Sequence, residues 1–390
     1  MSNLQLIFQE SGPDYRALHA LPQQHLKVMQ AIESCRSSAL GGHVDQCDEC
    51  GHLSISYNSC RNRHCPKCQA LVKEQWLENR SQDLLPVGYF HVVFTIPESI
   101  NPIALRNQKE LYSILFRAAS ETLNQLARDK KYLGAQIGST IILHTWGQNL
   151  MFHPHVHCIV TGGGLSSDGK RWINSRKKFF IPVKVLAKKF RGKFLAFLQD
   201  AFHSNKIMFP GDIQALGNTS NFQALIDSLY KINWIVYCKP PFAGPEKVLQ
   251  YLGQYTHRVV ISNNRIINAK DGKVTFKWRD YKDKSSIKLM TLDAHEFIRR
   301  FLLHVLPVKF VKIRHYGILS NRNRNTKLNV CKTLLNVSTS RTKALNAAEL
   351  FLKLTGKDIS VCPHCGKGKM LRKMDLPPNG CSPPSISLTA

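Results

Sequence analysis

The residues best suited to chemistry fall in three places: HPHVH at 153–157, YLGQYTHR at 251–258, and a segment with six cysteines between Cys35 and Cys68. In a strand, alternate residues share a face, so His155 and His157 would point together while Val156 points away. Two imidazoles at that spacing can bind one divalent ion. A hydrogen-bonded pair of sheet histidines would have the same spacing, but three features favour a metal. His153 adds an imidazole nearby. The preceding run TIILHTWG puts His144 where a partner strand would carry it across to the pair. A two-histidine site also keeps open positions for a phosphate and water, as a catalytic ion needs. Tyr251 and Tyr255 are four residues apart, so on a helix they share a face about one turn apart. Gly253, Gln254, Thr256, His257 and Arg258 make that face polar and basic rather than core-like.

The two motifs complement each other chemically. A phenol is a weak nucleophile at neutral pH, with an ordinary pKa of about 10. An ion on a non-bridging phosphate oxygen makes phosphorus more electrophilic and stabilises charge in the transition state. Tyrosine can then attack and remain as a phosphotyrosine, and a second tyrosine allows a second transfer before the first strand end is released.

The cysteines point to a different metal. Cys47/Cys50 and Cys65/Cys68 are C-x2-C pairs separated by fourteen residues, close to zinc-ribbon spacing. Two such turns can complete a thiolate tetrahedron, so these four are expected to hold one structural Zn2+. Cys35, His43, Cys60 and His64 are the favoured ligands of a second, with the interleaving of the two sets left open. Arg61, Arg63 and Lys67 stand between ligands and suit phosphate contact. Farther on, Cys362 and Cys365 form one more knuckle turn. His364 and Cys381 would complete its site; alternatively it is a half-site that binds nothing.

These motifs need elements to position them. Leu21, His25, Val28, Met29 and Ile32 have helical spacing, so residues 1–34 read as a helical segment. Residues 35–68 read as a small zinc-binding domain. Residues 69–84 read as a helix, 89–96 as a strand and 104–130 as one long helix or two. Strands are expected at 140–146 and 155–161, and glycines 162–164 with Ser166–Gly169 as a flexible turn. The tyrosine segment reads as helical. The stretch from Asn263 to Tyr281 reads as a hairpin turning at Asp271-Gly272. The expected organisation is therefore 1–34 helical, 35–68 zinc-binding, 69–270 catalytic, 271–345 a basic β/α DNA-binding extension, and 346–390 a tail with the last cysteine pair. The class is α+β.

Composition limits the partners. The chain has 54 Lys+Arg against 26 Asp+Glu, a formal charge of +28, which points to a polyanion, with nucleic acid the commonest. No apolar run is long enough to span a membrane, and the first residues lack the pattern of a signal peptide. A cytoplasmic location is expected, where thiols stay reduced and the 12 cysteines are free to bind metal. Gly164, Gly169 and Lys170 imitate the start of a P-loop, but Arg171 stands where Ser or Thr should hold magnesium.

In this order CRSSALGGHVDQCDECGH, YNSCRNRHCPKCQ, HTWGQNLMFHPHVHCIVTGGG, YLGQYTHRVVISNNRI, VTFKWRDYKD and RHYGILSNR resemble the HUH transposases of rolling-circle insertion sequences, the IS-ninety-one family, across nearly the whole chain. The resemblance implies an antiparallel sheet flanked by helices, with the histidine strand central and the tyrosine helix across it. It implies Mg2+ or Mn2+ on His155 and His157, with Tyr251 and Tyr255 as nucleophiles and one of them auxiliary in some relatives. His144 as third ligand is an inference from the strand reading. The implied activity is nicking of single-stranded or hairpin DNA at an element end, leaving a 5′-phosphotyrosine and a 3′-OH, followed by strand transfer. It would act at a bacterial nucleoid, with a host helicase unwinding the DNA. Two other classes share parts of this pattern. An HUH replication initiator or relaxase would use the same chemistry, and a zinc-dependent DNA-binding regulator would explain the charge and cysteines alone.

Overall fold

The computed structural model describes residues 3–176, 180–242, 247–248, 253, 258–281, 283–340 and 345–378. In chain order the main elements begin with α1 (Leu4–Leu18), α2 (Gln23–Glu33), β1 (Gly42–Cys47), β2 (Leu53–Tyr57) and α3 (Pro66–Ser81). There follow β3 (Tyr89–Thr95), α4 (Asn101–Arg106), α5 (Gln108–Arg128), β4 (Gln136–Trp146), β5 (Phe152–Leu165) and β6 (Trp172–Asn174). Next come α6 (Val183–His203), α7 (Thr219–Lys231), β7 (Val236–Phe242), β8 (Ile266–Lys270), β9 (Lys273–Asp280) and β10 (Ser286–Asp293). The described elements close with α8 (Ala294–Leu302), β11 (Ile313–Gly317), α9 (Lys327–Leu334), α10 (Ala347–Thr355) and β12 (Met370–Leu376). The fold is α+β, and every described strand pairing is antiparallel.

The chain divides into two compact units built from distant segments. The first takes Met1–Glu78, His257–Val305 and Lys343–Ala390; the second takes Asn79–Thr256 and Leu306–Thr342.

In the first unit, α1 and α2 expose polar residues and bury an apolar stripe that includes Leu4, Phe8, Val28, Met29 and Ile32. Phe8 meets Phe301 of α8 edge-on, with ring centroids 5.3 Å apart. α8 packs on the β8–β9–β10 sheet through Phe297 against Phe276. The β8–β9 turn is at Asp271-Gly272, both with positive φ (53° and 69°), the backbone a tight two-residue hairpin requires. A second three-stranded sheet has the order β12-β1-β2, so a strand near the carboxyl end pairs with one from the amino-terminal segment.

The second unit centres on a sheet ordered β11-β4-β5-β3-β7, with β6 paired to β5. Its even-numbered β3 residues, Phe90 and Phe94, pack on Phe180 and Phe190, and Trp234 closes the aromatic cluster against Phe190 and Phe194. The odd-numbered residues of β3 and β5 therefore face the other side. Residues 101–128 form two helices, because Asn107 breaks the run. Its side chain donates to Ile103 O and Met208 O and accepts from Met208 N.

Glycines 162–164 do not form the expected flexible turn. They lie inside β5 where strands crowd: a Cβ at Gly162, Gly163 or Gly164 would sit 2.5–2.6 Å from the carbonyl oxygens of Gly88, Ile173 or Gln136. Their role is close approach, and β5 runs on to Leu165. The turn comes after them. Ser166 accepts from Arg171 N, Asp168 accepts from Lys170 N, and Ser166 N donates to Arg171 O, a hydrogen-bonded reversal into β6 and no phosphate loop.

Candidate functional site

β5 carries His155 and His157 on one face of the sheet, and the β4 register sets His144 directly opposite His155. One ring nitrogen from each of the three imidazoles lies within 4.8 Å of the others. His155 Nε2 is 3.1 Å from His157 Nε2. His144 and His157 are buried and His155 is half-buried. The ring of His144 stacks on Trp146 at 4.8 Å, which fixes its plane. His153 projects into solvent beside them and is not one of the converging donors.

Sequence reasoning missed a fourth histidine. His91 on β3 pairs with Ile159, so it lies diagonally across from His157 on the same face. Its Nε2 is 2.9 Å from His157 Nδ1, and the two rings are nearly coplanar at 9°. Burial, then the charge of Lys239, pushes His91 down to about 3, so it is neutral. The only sequence signal is the alternation in YFHVVFTI, which puts His91 on one face with Tyr89 and Val93; the pairing of this strand with the H-x-H strand is visible only in the structure.

The contact with the His153 carbonyl fixes one proton of this histidine chain. His155 Nδ1 lies 2.7 Å from the His153 carbonyl, which can only accept, so Nδ1 holds the proton and Nε2 presents a lone pair. If His157 Nδ1 donates to His91, its Nε2 also presents a lone pair, toward that of His155. Two lone pairs at 3.1 Å repel unless a cation lies between them. A first-row divalent ion held by two adjacent imidazoles at about 2.1 Å sets their nitrogens about 3.0–3.4 Å apart. The residues fit such an ion. Tyr251 and Tyr255 lie outside the described residues.

The cysteines fall into two groups of four, each with its sulfurs within 4.8 Å of one another: Cys35, Cys60, Cys65 and Cys68, and Cys47, Cys50, Cys362 and Cys365. This corrects the expected partition. Cys47 and Cys50 lie at the turn of the β1–β2 hairpin, whereas β2 returns the chain toward Cys35 before Cys60. Opposite ends of a five-residue strand are about 16 Å apart, too far to share an ion. Cys65 and Cys68 therefore join Cys35 and Cys60, with sulfur separations of 3.5–3.6 Å. Cys65 is the thiol most easily ionised, lowered to about 5 chiefly by a hydrogen bond from Cys60. Neither expected histidine belongs to a sulfur group. His43 lies along β1 with Nε2 3.3 Å from Asp45 Oδ2, and buried His64 leads into the Cys65 turn with its N–H on Asn62 Oδ1. The turn Cys65–Cys68 passes straight into α3, which starts at Pro66 rather than at 69 because proline suits the first helical position.

Of the expected basic contacts, Arg61 and Arg63 are exposed around the first cysteine group, Lys67 is half-buried and donates to Gln5 Oε1, and Arg258 is half-buried. Among the described residues no helix is long and apolar enough to cross a membrane.

Two family models match separate parts of the chain. Residues 7–96 match the family described as "Transposase zinc-binding domain", and residues 138–327, which include the three converging histidines, match the family described as "Putative transposase". The chain is 50% identical over 370 residues to "Putative transposase y4qJ" of Sinorhizobium fredii, covering 94% of this chain and 93% of that relative. It is 26% identical over 303 residues to "Transposase for insertion sequence element IS801" of Pseudomonas savastanoi pv. phaseolicola, covering 76% of this chain and 70% of that protein. No solved structure matches it. With a zinc-binding module ahead of a histidine-bearing sheet, and relatives of this kind along nearly its whole length, the chain belongs to the IS-ninety-one family of insertion-sequence transposases.

Proposed function

We propose that the protein nicks and rejoins single DNA strands through a tyrosine-linked intermediate, using one divalent ion on His144, His155 and His157. The observation that carries this reading is the convergence of those imidazoles, with His155 Nδ1 donating to the His153 carbonyl and His157 Nδ1 2.9 Å from His91 Nε2. Bound there, Mg2+ or Mn2+ would polarise the scissile phosphate and neutralise charge that builds in the transition state. The all-nitrogen donor set favours Mn2+ over Mg2+, which prefers oxygen ligands.

Tyr251 and Tyr255 supply the nucleophiles in this reading. A phenol oxygen, losing its proton, attacks phosphorus, and the bond to the 3′-oxygen breaks. The DNA 5′ end is then held as a phosphotyrosine, and the 3′-oxygen leaves with a proton as a free hydroxyl. The phosphodiester energy is conserved, so attack by a 3′-hydroxyl of target DNA reverses the step and joins strands. Two tyrosines permit two transfers in succession, with one able to serve alone. The net charge of +28, and Arg61, Arg63, Lys67 and Arg258 within it, would hold the DNA backbone. The zinc-binding module scaffolds the amino-terminal unit and takes no part in the chemistry.

The test is to offer single-stranded DNA carrying an element end and labelled at its 3′ end, with Mn2+ or Mg2+, and resolve protein under denaturing conditions. A labelled protein band that disappears in the Tyr251→Phe/Tyr255→Phe double variant is expected. An undiminished band in that variant would remove both tyrosines from the mechanism.

A further inference from the structure

Cys362 and Cys365 lie beyond both matched family segments, 7–96 and 138–327, yet they come together with Cys47 and Cys50. We infer that these four cysteines hold a structural Zn2+ in a zinc ribbon split between the two ends of the chain, so that the ion clasps the carboxy-terminal segment to the amino-terminal module.

The two contributing turns are copies of one another. Both read C-x-x-C-G, at 47–51 and 362–366. In each, the glycine N–H donates to the carbonyl of the first cysteine, at 3.2 Å for Gly51 and 2.9 Å for Gly366. Gly51 and Gly366 have nearly equal positive φ, 71° and 69°. In each, the first cysteine's own N–H closes the turn, Cys47 onto His52 O and Cys362 onto Gly368 O. Backbone N–H groups also point at the sulfurs: Cys50 N at Cys47 Sγ, His364 N at Cys362 Sγ and Gly368 N at Cys365 Sγ, at 3.4–3.5 Å. Such donors stabilise thiolates, the form that binds zinc.

The distances fit a shared ion. Cys47 Sγ is 3.8 Å from Cys365 Sγ, and Cys50 Sγ is 3.7 Å from Cys362 Sγ. A tetrahedral ion at about 2.3 Å from each sulfur sets them about 3.8 Å apart, whereas a disulfide needs about 2.05 Å. Each contact joins one turn to the other, so the four sulfurs form a single cross-linked set. His364 Nδ1 reaches only 3.9 Å from Cys50 Sγ, and its ring stacks on His52 at 5.1 Å, covering the ion position from one side.

The surrounding structure is built to the same closeness. β12 pairs with β1 along its length, from Gly42 opposite Leu376 to Cys47 opposite Met370. Asp48 N donates to Lys369 O, and Lys369 N returns to Asp48 Oδ1 at 2.7 Å. Gly368 has no room for a side chain, since a Cβ there would collide with Cys47 Sγ and Asp48 Oδ1. Lys353 of α10 adds an ion pair to Glu78 at 2.8 Å. The carboxy-terminal segment is thus the third strand and second knuckle of the amino-terminal zinc module.

The experiment counts four-sulfur sites in the full-length protein, by zinc analysis and by the number of cadmium-113 resonances at all-thiolate shifts after exchange, with any ion on His144, His155 and His157 counted apart. Wild type should hold two ions with four sulfur ligands each. Cys47→Ser/Cys50→Ser and Cys362→Ser/Cys365→Ser should each hold one, and the quadruple variant combining them should also hold one. The retained ion, on Cys35, Cys60, Cys65 and Cys68, reports that the module is still folded. Gly368→Ala should release the same ion at a chelator concentration at least tenfold lower than wild type. A wild-type count of one, two ions retained by either double variant, no ion in either, or none in the quadruple would overturn the assignment.

Discussion

Replacing His91 with leucine should weaken the divalent-ion site without removing any of its ligands. In the structure His91 Nε2 and His157 Nδ1 are 2.9 Å apart in a buried, nearly coplanar pair. Leucine leaves His157 Nδ1–H buried without its acceptor, which costs about 1–3 kcal/mol. The ring can escape part of that cost by moving its proton to Nε2, and then it no longer offers a lone pair to the ion. Either way affinity falls; a tenfold to hundredfold loss, about 1.4–2.7 kcal/mol, is the usual scale for removing such a supporting partner. His91→Gln keeps an acceptor and should recover most of the loss. The assay is titration with Mn2+ followed by the free-ion electron paramagnetic resonance signal, so no DNA or turnover enters. Zinc content serves as the control. Unchanged Mn2+ affinity in His91→Leu would refute the claim that His91 fixes the His157 tautomer. Equal losses in the leucine and glutamine variants would reduce His91 to a packing residue.

His155→Ala and His157→Ala should each abolish the covalent DNA adduct while leaving zinc content unchanged; loss of zinc would make them structural instead. Gly163→Ala puts a methyl group against Ile173 O and the Trp172 indole at the β5–β6 pairing. It should cost roughly 1–3 kcal/mol in urea unfolding, and an unchanged midpoint would show the strands can part freely. Burial, reinforced by the Arg80 charge, pushes His315 down to about 4. Below its unfolded value of about 6.5 the unfolded chain takes the proton first, so stability should fall as pH drops from about 6.5 to about 4. The slope for this one group is at most about 1.4 kcal/mol per pH unit. His315→Gln should show a shallower decline over that window in urea titrations, and parallel profiles would contradict the assignment.

The histidine strand could be read from the sequence because the period of two is local: His155 and His157 must share a face wherever the strand goes. His144 was reachable by one further step, since a short loop makes its strand the neighbour. His91 was not, because its register against β5 is set by a pairing across some sixty residues and by packing of Phe90 and Phe94 on the opposite face. The partition of the zinc ligands was hidden for the same reason. Spacing shows which cysteines form knuckles, but which knuckles meet depends on the direction of the β1–β2 hairpin and on β12 returning from the far end of the chain. Glycines 162–164 looked like a turn because glycine marks both reversals and tight contacts, and only the neighbouring carbonyls distinguish the two.

In the proposed mechanism a tyrosine of this chain becomes joined to DNA under the control of the histidine-held ion. This step is tested most directly by trapping the protein on labelled single-stranded DNA with Mn2+ and sequencing the nucleotide-bearing peptide by mass spectrometry. A phosphotyrosine at Tyr251 or Tyr255 is expected, formed only with the metal and absent from His155→Ala and His157→Ala. A nucleotide on any other residue, or an adduct formed equally well in chelator, would contradict it.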